Sequence, residues 1–328
     1  MIHILKWTYC CLLILFFALS DYDKTKQNID WQNGRIYRYA GTGEPGYYGD
    51  GGPACSAKLN GPAGLAIDKK DNVYVADLIN CVIRKIDIRT GIITTIAGSG
   101  QKRYEGDGGA ATSAKLNRPE GIFVDDKGNL YIADSGNHCI RKVNGKTGII
   151  KTIAGIGREG LGGDGGKAEK AILNHPAGVV VDSRYLIYFN DYCNDRIRKI
   201  DAHTGIIHTL VGRGKPGPVN EFSPVSESFL SGNPHPKGTS GSEVPHAVEV
   251  DSRGNFFIGE TGTHRIRMVP KNKPCLLTIA GSGKPGWTGD DGPAQKATLE
   301  VHGLRIDSKG RLYFVDFIHH VIRMIKFP

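Results

Sequence analysis

The sequence predicts an all-β chain, a β-propeller of five four-stranded blades, and three observations lead to that prediction. Glycine accounts for 45 of the 328 residues, about twice its average usage. Short β-branched runs alternate with glycine-rich turns, which is typical of all-β proteins. An Ala-Gly pair at Ala40 returns at Ala97 and Ala154, and such a fixed period indicates a repeat architecture.

Each repeating unit carries the same elements in the same order. A Gly-Asp-Gly loop comes first, three strands separated by turns follow, and a fourth strand ends in Ala-Gly or Val-Gly. In the first unit the predicted strands cover 64–68, 73–77, 82–86 and 92–96. Strands that are apolar on both faces indicate sheets covered on both sides. Four strands per unit are typical of a propeller blade.

The two ends of the repeat region predict how the propeller closes. The fifth unit stops after its third strand, near Phe327, whereas Arg35 to Ala40 matches a fourth strand. The N-terminal strand would therefore complete the last blade and remove its open edge. This gives five blades, with six as the alternative. The stretch from Gly212 to Pro245 is longer than its counterparts, and we interpret it as a surface loop.

The first twenty residues differ from the rest. They contain one charge, Lys6, followed by an apolar run from Tyr9 to Leu19. This pattern predicts a signal peptide over 1–20, a linker over 21–34 and the propeller over 35–328. The protein is therefore expected to be secreted. The alternative is an uncleaved membrane anchor with an exported propeller, and residues 1–20 would then be its contact with the membrane.

Cysteine usage argues against a metal or redox centre. Five cysteines remain after the signal segment, and none has the CxxC spacing of zinc or redox sites. One or two disulfides are left open, because secreted proteins form them in an oxidising compartment.

The segment Asn129 to Lys142, NLYIADSGNHCIRK, resembles the NHL repeat. The resemblance covers about residues 35–327. It implies a propeller, commonly of six blades, and its GDGGPA-type loops resemble those of extracellular and bacterial NHL proteins. NHL propellers include protein-binding scaffolds, RNA-binding surfaces and one lyase group, so the resemblance alone does not select a function.

The lyase alternative depends on residues of the central channel. Pro245-His246-Ala247-Val248 resembles the zinc-binding element of peptidylglycine amidating lyases, and His302 has the same register without the proline. Tyr192 lies in a segment that resembles the one carrying the lyase's catalytic tyrosine. Two histidines are one ligand short of a catalytic zinc site, and Glu120 would be needed as the third. We therefore predict no catalytic residue, metal or cofactor. The interpretation is that His246 and His302 line a polar channel mouth and that Tyr192 fills an irregular turn. A metal-dependent lyase-like enzyme is the alternative.

The nucleic-acid alternative depends on one arginine that recurs in every unit. Each arginine has an acid near the end of the preceding strand, which favours one structural ion pair per blade over a phosphate-binding ring. The arginines are Arg84, Arg141, Arg198, Arg267 and Arg323, and the acids are Asp77, Asp134, Asp191, Glu260 and Asp316. With a predicted signal peptide, this weighs against a nucleic-acid partner.

The Gly-Asp-Gly loops are the candidate recognition surface. Their aspartates are interpreted as turn formers, because one carboxylate per loop is too few for calcium. Tyr47, Tyr48, Tyr104 and Trp287 lie in these loops. They are either contact anchors or covers for the ends of the blades. The predicted function is an exported, non-catalytic binding scaffold, and the formal charge of +9 favours a protein or an anionic glycan as partner.

Overall fold

The computed structural model describes residues 30–211, 245–271 and 275–328. It confirms an all-β, five-bladed propeller in which each blade is a four-stranded antiparallel sheet. In chain order the strands are β1 (Arg35–Ala40), β2 (Pro62–Ile67), β3 (Val73–Asp77), β4 (Val82–Ile86), β5 (Ile93–Ala97), β6 (Pro119–Val124), β7 (Leu130–Asp134), β8 (Cys139–Val143), β9 (Ile150–Ala154), β10 (Pro176–Val181), β11 (Leu186–Asp191), β12 (Arg196–Asp201), β13 (Ile207–Val211), β14 (Pro245–Val250), β15 (Phe256–Glu260), β16 (Arg265–Val269), β17 (Leu277–Ala280), β18 (Leu304–Ile306), β19 (Leu312–Asp316) and β20 (Val321–Lys326). The commonly six-bladed pattern is therefore not followed.

The N-terminal strand closes the last blade, as predicted. Four sheets use consecutive strands, β2–β5, β6–β9, β10–β13 and β14–β17, and the fifth has the order β1-β20-β19-β18. Strand β1 pairs antiparallel with β20, from Arg35 opposite Lys326 to Ala40 opposite Ile322. Packing extends to Trp31, whose ring meets Phe327 edge-on at a centroid distance of 4.7 Å.

The chain divides into two compact units by contact density. Of the described residues, those of 30–75, 85–94 and 245–328 belong to the first compact unit, and those of 76–84 and 95–211 belong to the second. The first unit has one core cluster around Ile36, Phe257 and Phe314 and another around Leu65, Val75 and Ile93. The core of the second unit includes Tyr131, Ile140, Val179, Phe189 and Ile207. The second strand of a blade, as in β3 and β7, is buried on both faces, which explains its continuous apolar run.

The turn between the second and third strand of each blade, called here the 2–3 turn, ends in a residue with positive φ. These residues are Cys81, His138, Asp195, His264 and His320. In the second repeat, Gly155 has a φ of 90°. It lies so close to the carbonyl oxygen of His138 that a Cβ at this position would overlap that oxygen. The Ala-Gly signature therefore records a close backbone approach that only glycine allows.

Several expectations concern residues outside the described part of the chain. The predicted signal peptide or anchor at 1–20 and the predicted loop from Gly212 lie there. Among the described residues, no helix is both long and apolar enough to span a bilayer. All five cysteines of the repeat region are described as free thiols, with Cys55, Cys193 and Cys275 exposed and Cys81 and Cys139 buried. The structure therefore contains none of the disulfides left open above.

Candidate functional site

The recurring arginines are buried ion-pair partners. Arg84, Arg141, Arg198 and Arg323 are all 0% exposed. Arg141 lies 3.6 Å from Asp134, and Arg198 lies 3.0 Å from Asp191. A guanidinium away from water requires such partners. These four side chains cannot reach a phosphate in solvent, so they do not form the positive ring of the nucleic-acid alternative.

The fifth blade departs from the predicted pairing. Asp316 contacts His319 instead, with 2.7 Å between Nδ1 and Oδ1. Arg323 pairs with the loop residue Asp290 at 2.7 Å. The prediction of one pair with the preceding-strand acid holds for Arg84, Arg141, Arg198 and Arg267.

The aspartates of the Gly-Asp-Gly loops have a role that the sequence interpretation missed. Asp107 lies 2.6 Å from Arg141, and Asp164 lies 2.9 Å from Arg198. In both blades the two residues are 34 positions apart, a constant spacing that could have signalled the pair. Each loop is therefore tied to its own blade by a charge-assisted contact.

The buried carboxylate of Asp134 accepts a hydrogen bond at each of its two oxygens. It accepts hydrogen bonds from the backbone N–H of Asn117 at 2.7 Å and from Nδ2 of Asn137 at 2.8 Å. Burial raises the pKa of Asp134 to about 7, whereas these donors and Arg141 act in the opposite direction. Both oxygens of Asp134 therefore have partners within the fold, which indicates a structural cluster.

Two of the four loop aromatics cover the fold. The Tyr104 hydroxyl donates to Oγ1 of Thr152 at 3.0 Å, and its ring lies against Gly157. Trp287 donates through Nε1 to Asp290 at 3.0 Å, and its ring lies against Gly43. Both rings therefore contact the ends of the blades, while Tyr104 also keeps 38% of its surface exposed.

The other two aromatics, Tyr47 and Tyr48, are displayed to solvent, with exposures of 47% and 71%. The counterparts of Tyr48 in three other units are Glu105, Gly162 and Thr288. The repeat therefore does not require an aromatic residue at this position.

The loop that carries Tyr48 is held in place. The backbone N–H of Lys58 donates to the carbonyl of Tyr48 at 3.2 Å, and Gly46 donates to Leu59 at 3.1 Å. Lys58 also forms a 2.6 Å ion pair with Glu44. These bonds fix the backbone of the loop at Tyr48, and a fixed loop loses little freedom when a partner binds.

The described channel candidates do not form a three-ligand site. His302 is half-buried, its N–H donates to Val315 at 3.0 Å, and its ring lies 5.0 Å from that of Phe317. Tyr192 is 48% exposed, and burial raises the pKa of Glu120. The side chain of His246 lies outside the described residues. Among the described ones, the group able to surround a metal ion contains neither His302 nor Glu120.

That group is His138, Glu159 and His175, whose ligand atoms lie within 4.8 Å of one another. However, Nδ1 of His138 accepts a hydrogen bond from the backbone N–H of His175 at 3.2 Å. The proton of the neutral ring must then be on Nε2, and burial lowers the pKa of His138, which favours that neutral form. A metal-ligating histidine normally donates from its other nitrogen. The arrangement therefore offers two ligands, one fewer than a catalytic zinc needs.

His138 belongs instead to the framework. In the last blade, Nδ1 of His320 accepts the backbone N–H of Gly61 at 3.0 Å in the same way. In these two blades the histidine at the end of the 2–3 turn therefore fastens the next repeat.

The comparison with protein families identifies the repeats. The Teneurin NHL domain model matches residues 39–105, 100–161 and 157–226. The protein SUPPRESSOR OF QUENCHING 1, chloroplastic, of Arabidopsis thaliana is 30% identical over 88% of this chain and 27% of its own length. Human NHL repeat-containing protein 2 is 26% identical over 94% of this chain and 44% of its own. The chain thus spans less than half of these relatives.

Solved structures agree on the fold. A gluconolactonase from Xanthomonas campestris has a TM-score of 0.53 at 13% identity, covering 95% of this chain and 97% of its own. A streptogramin B lyase has a TM-score of 0.50 at 16% identity, covering 91% and 99%. Similarity at identities this low shows the fold and does not assign an activity. With five four-stranded blades and a family match over more than half of its length, the chain belongs to the NHL-repeat β-propeller family.

Proposed function

We propose that this chain is an exported, non-catalytic binding scaffold whose glycine-rich loops contact a protein or an anionic glycan. The observation that carries the proposal is Tyr48, an aromatic side chain exposed on a fixed loop where the repeat needs none. Aromatic residues of this kind are frequent anchors of interfaces. The signal-like pattern of residues 1–20 supports export of the propeller, either as a secreted protein or attached to the membrane through an uncleaved anchor.

Replacing Tyr48 with alanine is expected to remove partner binding. Full-length purified protein is immobilised and exposed to medium from the producing cells, and retained proteins and glycans are quantified by mass spectrometry. At least one retained species should fall about tenfold or more with Tyr48→Ala, since an anchor contributes ~2 kcal/mol. Glu105→Ala, at the same register of the next unit, is the matched control. Equal recovery with both variants would contradict the proposal.

The lyase-like alternative predicts a bound metal, whereas the scaffold does not. Protein purified without chelators should contain far less than one zinc ion per chain by elemental analysis, and His302→Ala should not change that content. The physical reason is that a catalytic zinc needs three protein ligands, and among the described residues the group able to surround a metal ion contains neither His302 nor Glu120. Stoichiometric zinc that disappears with His302→Ala would instead establish a metal centre and overturn the non-catalytic proposal.

A further inference from the structure

Residues of the second and third repeats line a surface cavity of about 300 Å³ that we call the lysine pocket. It is lined by Lys127, Asn129, Lys142, Asn144, Lys146 and Tyr185. Its size is at the lower end of small-ligand sites, and nothing in the propeller architecture requires it.

The lining carries three ammonium groups and no carboxylate. The acid beside it, Asp125, is buried and is occupied by the turn that it organises. Its Oδ1 accepts the N–H of Lys127 at 2.9 Å, and its Oδ2 accepts Nδ2 of Asn129 at 2.8 Å. Asp126 is exposed and is not part of the lining. The pocket therefore presents an excess of positive charge.

A tyrosine in a strained backbone position forms part of the wall. Tyr185 has a φ of 63°, at a position where the next two units have Gly254 and Gly310. A bulky residue in this region of φ is costly. Its ring lies under the ammonium of Lys127, with Nζ 4.0 Å from the ring centroid. Tyr185 thus positions a charge at the pocket that glycine could not position.

The residue at position 144 separates this turn from its counterparts. Oδ1 of Asn144 accepts the N–H groups of Lys146 at 2.9 Å and of Thr147 at 3.0 Å. Asp87 makes the same two bonds in the first unit, at 2.9 and 3.1 Å, and Asp201 does so in the third, at 2.8 and 3.2 Å. The amide thus preserves the turn while removing the negative charge that both counterparts carry.

The two turns that form the pocket are fixed to one another. Oδ1 of Asn129 accepts the N–H of Gly145 at 3.1 Å, and Gly145 lies directly against the carbonyl of Gly128. Lys142 is also restrained, with its Nζ 5.0 Å from the ring centroid of Tyr131. Because the pocket is already ordered, less conformational entropy is lost when a ligand binds.

We propose that the lysine pocket binds the oxyanion of a sulfate or phosphate monoester. Three ammonium groups around one cavity repel each other, and an oxyanion relieves that repulsion through charge-assisted hydrogen bonds. Lysine recognises such groups as a point charge. The pocket shares no residue with the Tyr48 loop, so either proposal can fail without the other.

Calorimetric titration tests the proposal on the full-length protein, with chloride keeping the ionic strength constant. The probes are inorganic sulfate, inorganic phosphate, a sugar sulfate and a sugar phosphate. One saturable site per chain is expected. Asn144→Asp should weaken binding about tenfold or more while keeping the turn bonds, because one negative charge within the pocket opposes the ligand's charge. Lys142→Gln should weaken binding by a similar factor.

Lys70→Gln is the matched control, since Lys70 occupies the position of Lys127 in the first unit, where Asp87 supplies an acid. It should leave the affinity unchanged, and melting temperatures verify that all variants fold. Tighter binding of the sugar sulfate would identify a sulfated glycan as the source, and tighter binding of the sugar phosphate a phosphomonoester. No saturable binding of any probe, or an equal loss with Lys70→Gln, would overturn the proposal.

Discussion

A chain that starts at residue 41 should melt at least about 10 °C below one that starts at residue 30. The deletion removes β1, so β20 loses its hydrogen-bonding partner and becomes an open edge. It also removes Ile36, which is 0% exposed within the core cluster around Phe257. Together these losses amount to ~5 kcal/mol, and a domain of this size loses about 2–4 °C per kcal/mol.

A point variant measures the same effect if the truncated chain fails to fold. Ile36→Ala should lower the free energy of unfolding by about 2–5 kcal/mol, because it leaves a cavity in a buried cluster. Arg38→Ala, two residues along the same strand and exposed, should change it by less than about 0.5 kcal/mol. Urea denaturation gives both values. Similar stabilities for the chains starting at 41 and at 30 would mean that β1 does not close the propeller.

The blade count and the closure could be predicted from sequence because each blade is a local unit. In four of the five blades the four strands are consecutive in the sequence, so periodicity alone defines them. Arg35–Ala40 matched a fourth strand in sequence, and the structure pairs it with β20. In contrast, the packing of Trp31 against Phe327 could not be predicted, because Ile88 and Gly145, the counterparts of Trp31 in the first two repeats, are not aromatic.

The candidate sites were less predictable because they depend on where loops fold back. Nothing in the turn propensity of Gly-Asp-Gly shows that Asp107 reaches Arg141. Trp287 and Tyr48 looked equivalent as loop aromatics, and their different roles follow from a contact with Gly43 in the one case and exposure in the other. The lysine pocket depends on Asn144 in place of aspartate, which in sequence is an ordinary exchange of turn residues.

Arg141→Met is expected to lower the free energy of unfolding more than a substitution of any exposed residue does. The guanidinium is 0% exposed and pairs with Asp134 and Asp107. Its removal leaves Asp134 buried without a cation, and breaking such a pair typically costs about 3–5 kcal/mol. The midpoint of urea unfolding, followed by circular dichroism, measures this loss.

Arg267→Met is the matched control, because Arg267 has the same register in a later blade and is 24% exposed. Water reaches its partner Glu260, whose side chain is 12% exposed, so the loss should be clearly smaller, at ~1 kcal/mol. The double variant Arg141→Met with Asp134→Asn should recover part of the stability, since the second change removes the uncompensated charge. If the double variant is as unstable as the sum of the two single variants, the ion pair does not organise the blade. The arginine would then contribute through its other contacts, such as the one with Asp107.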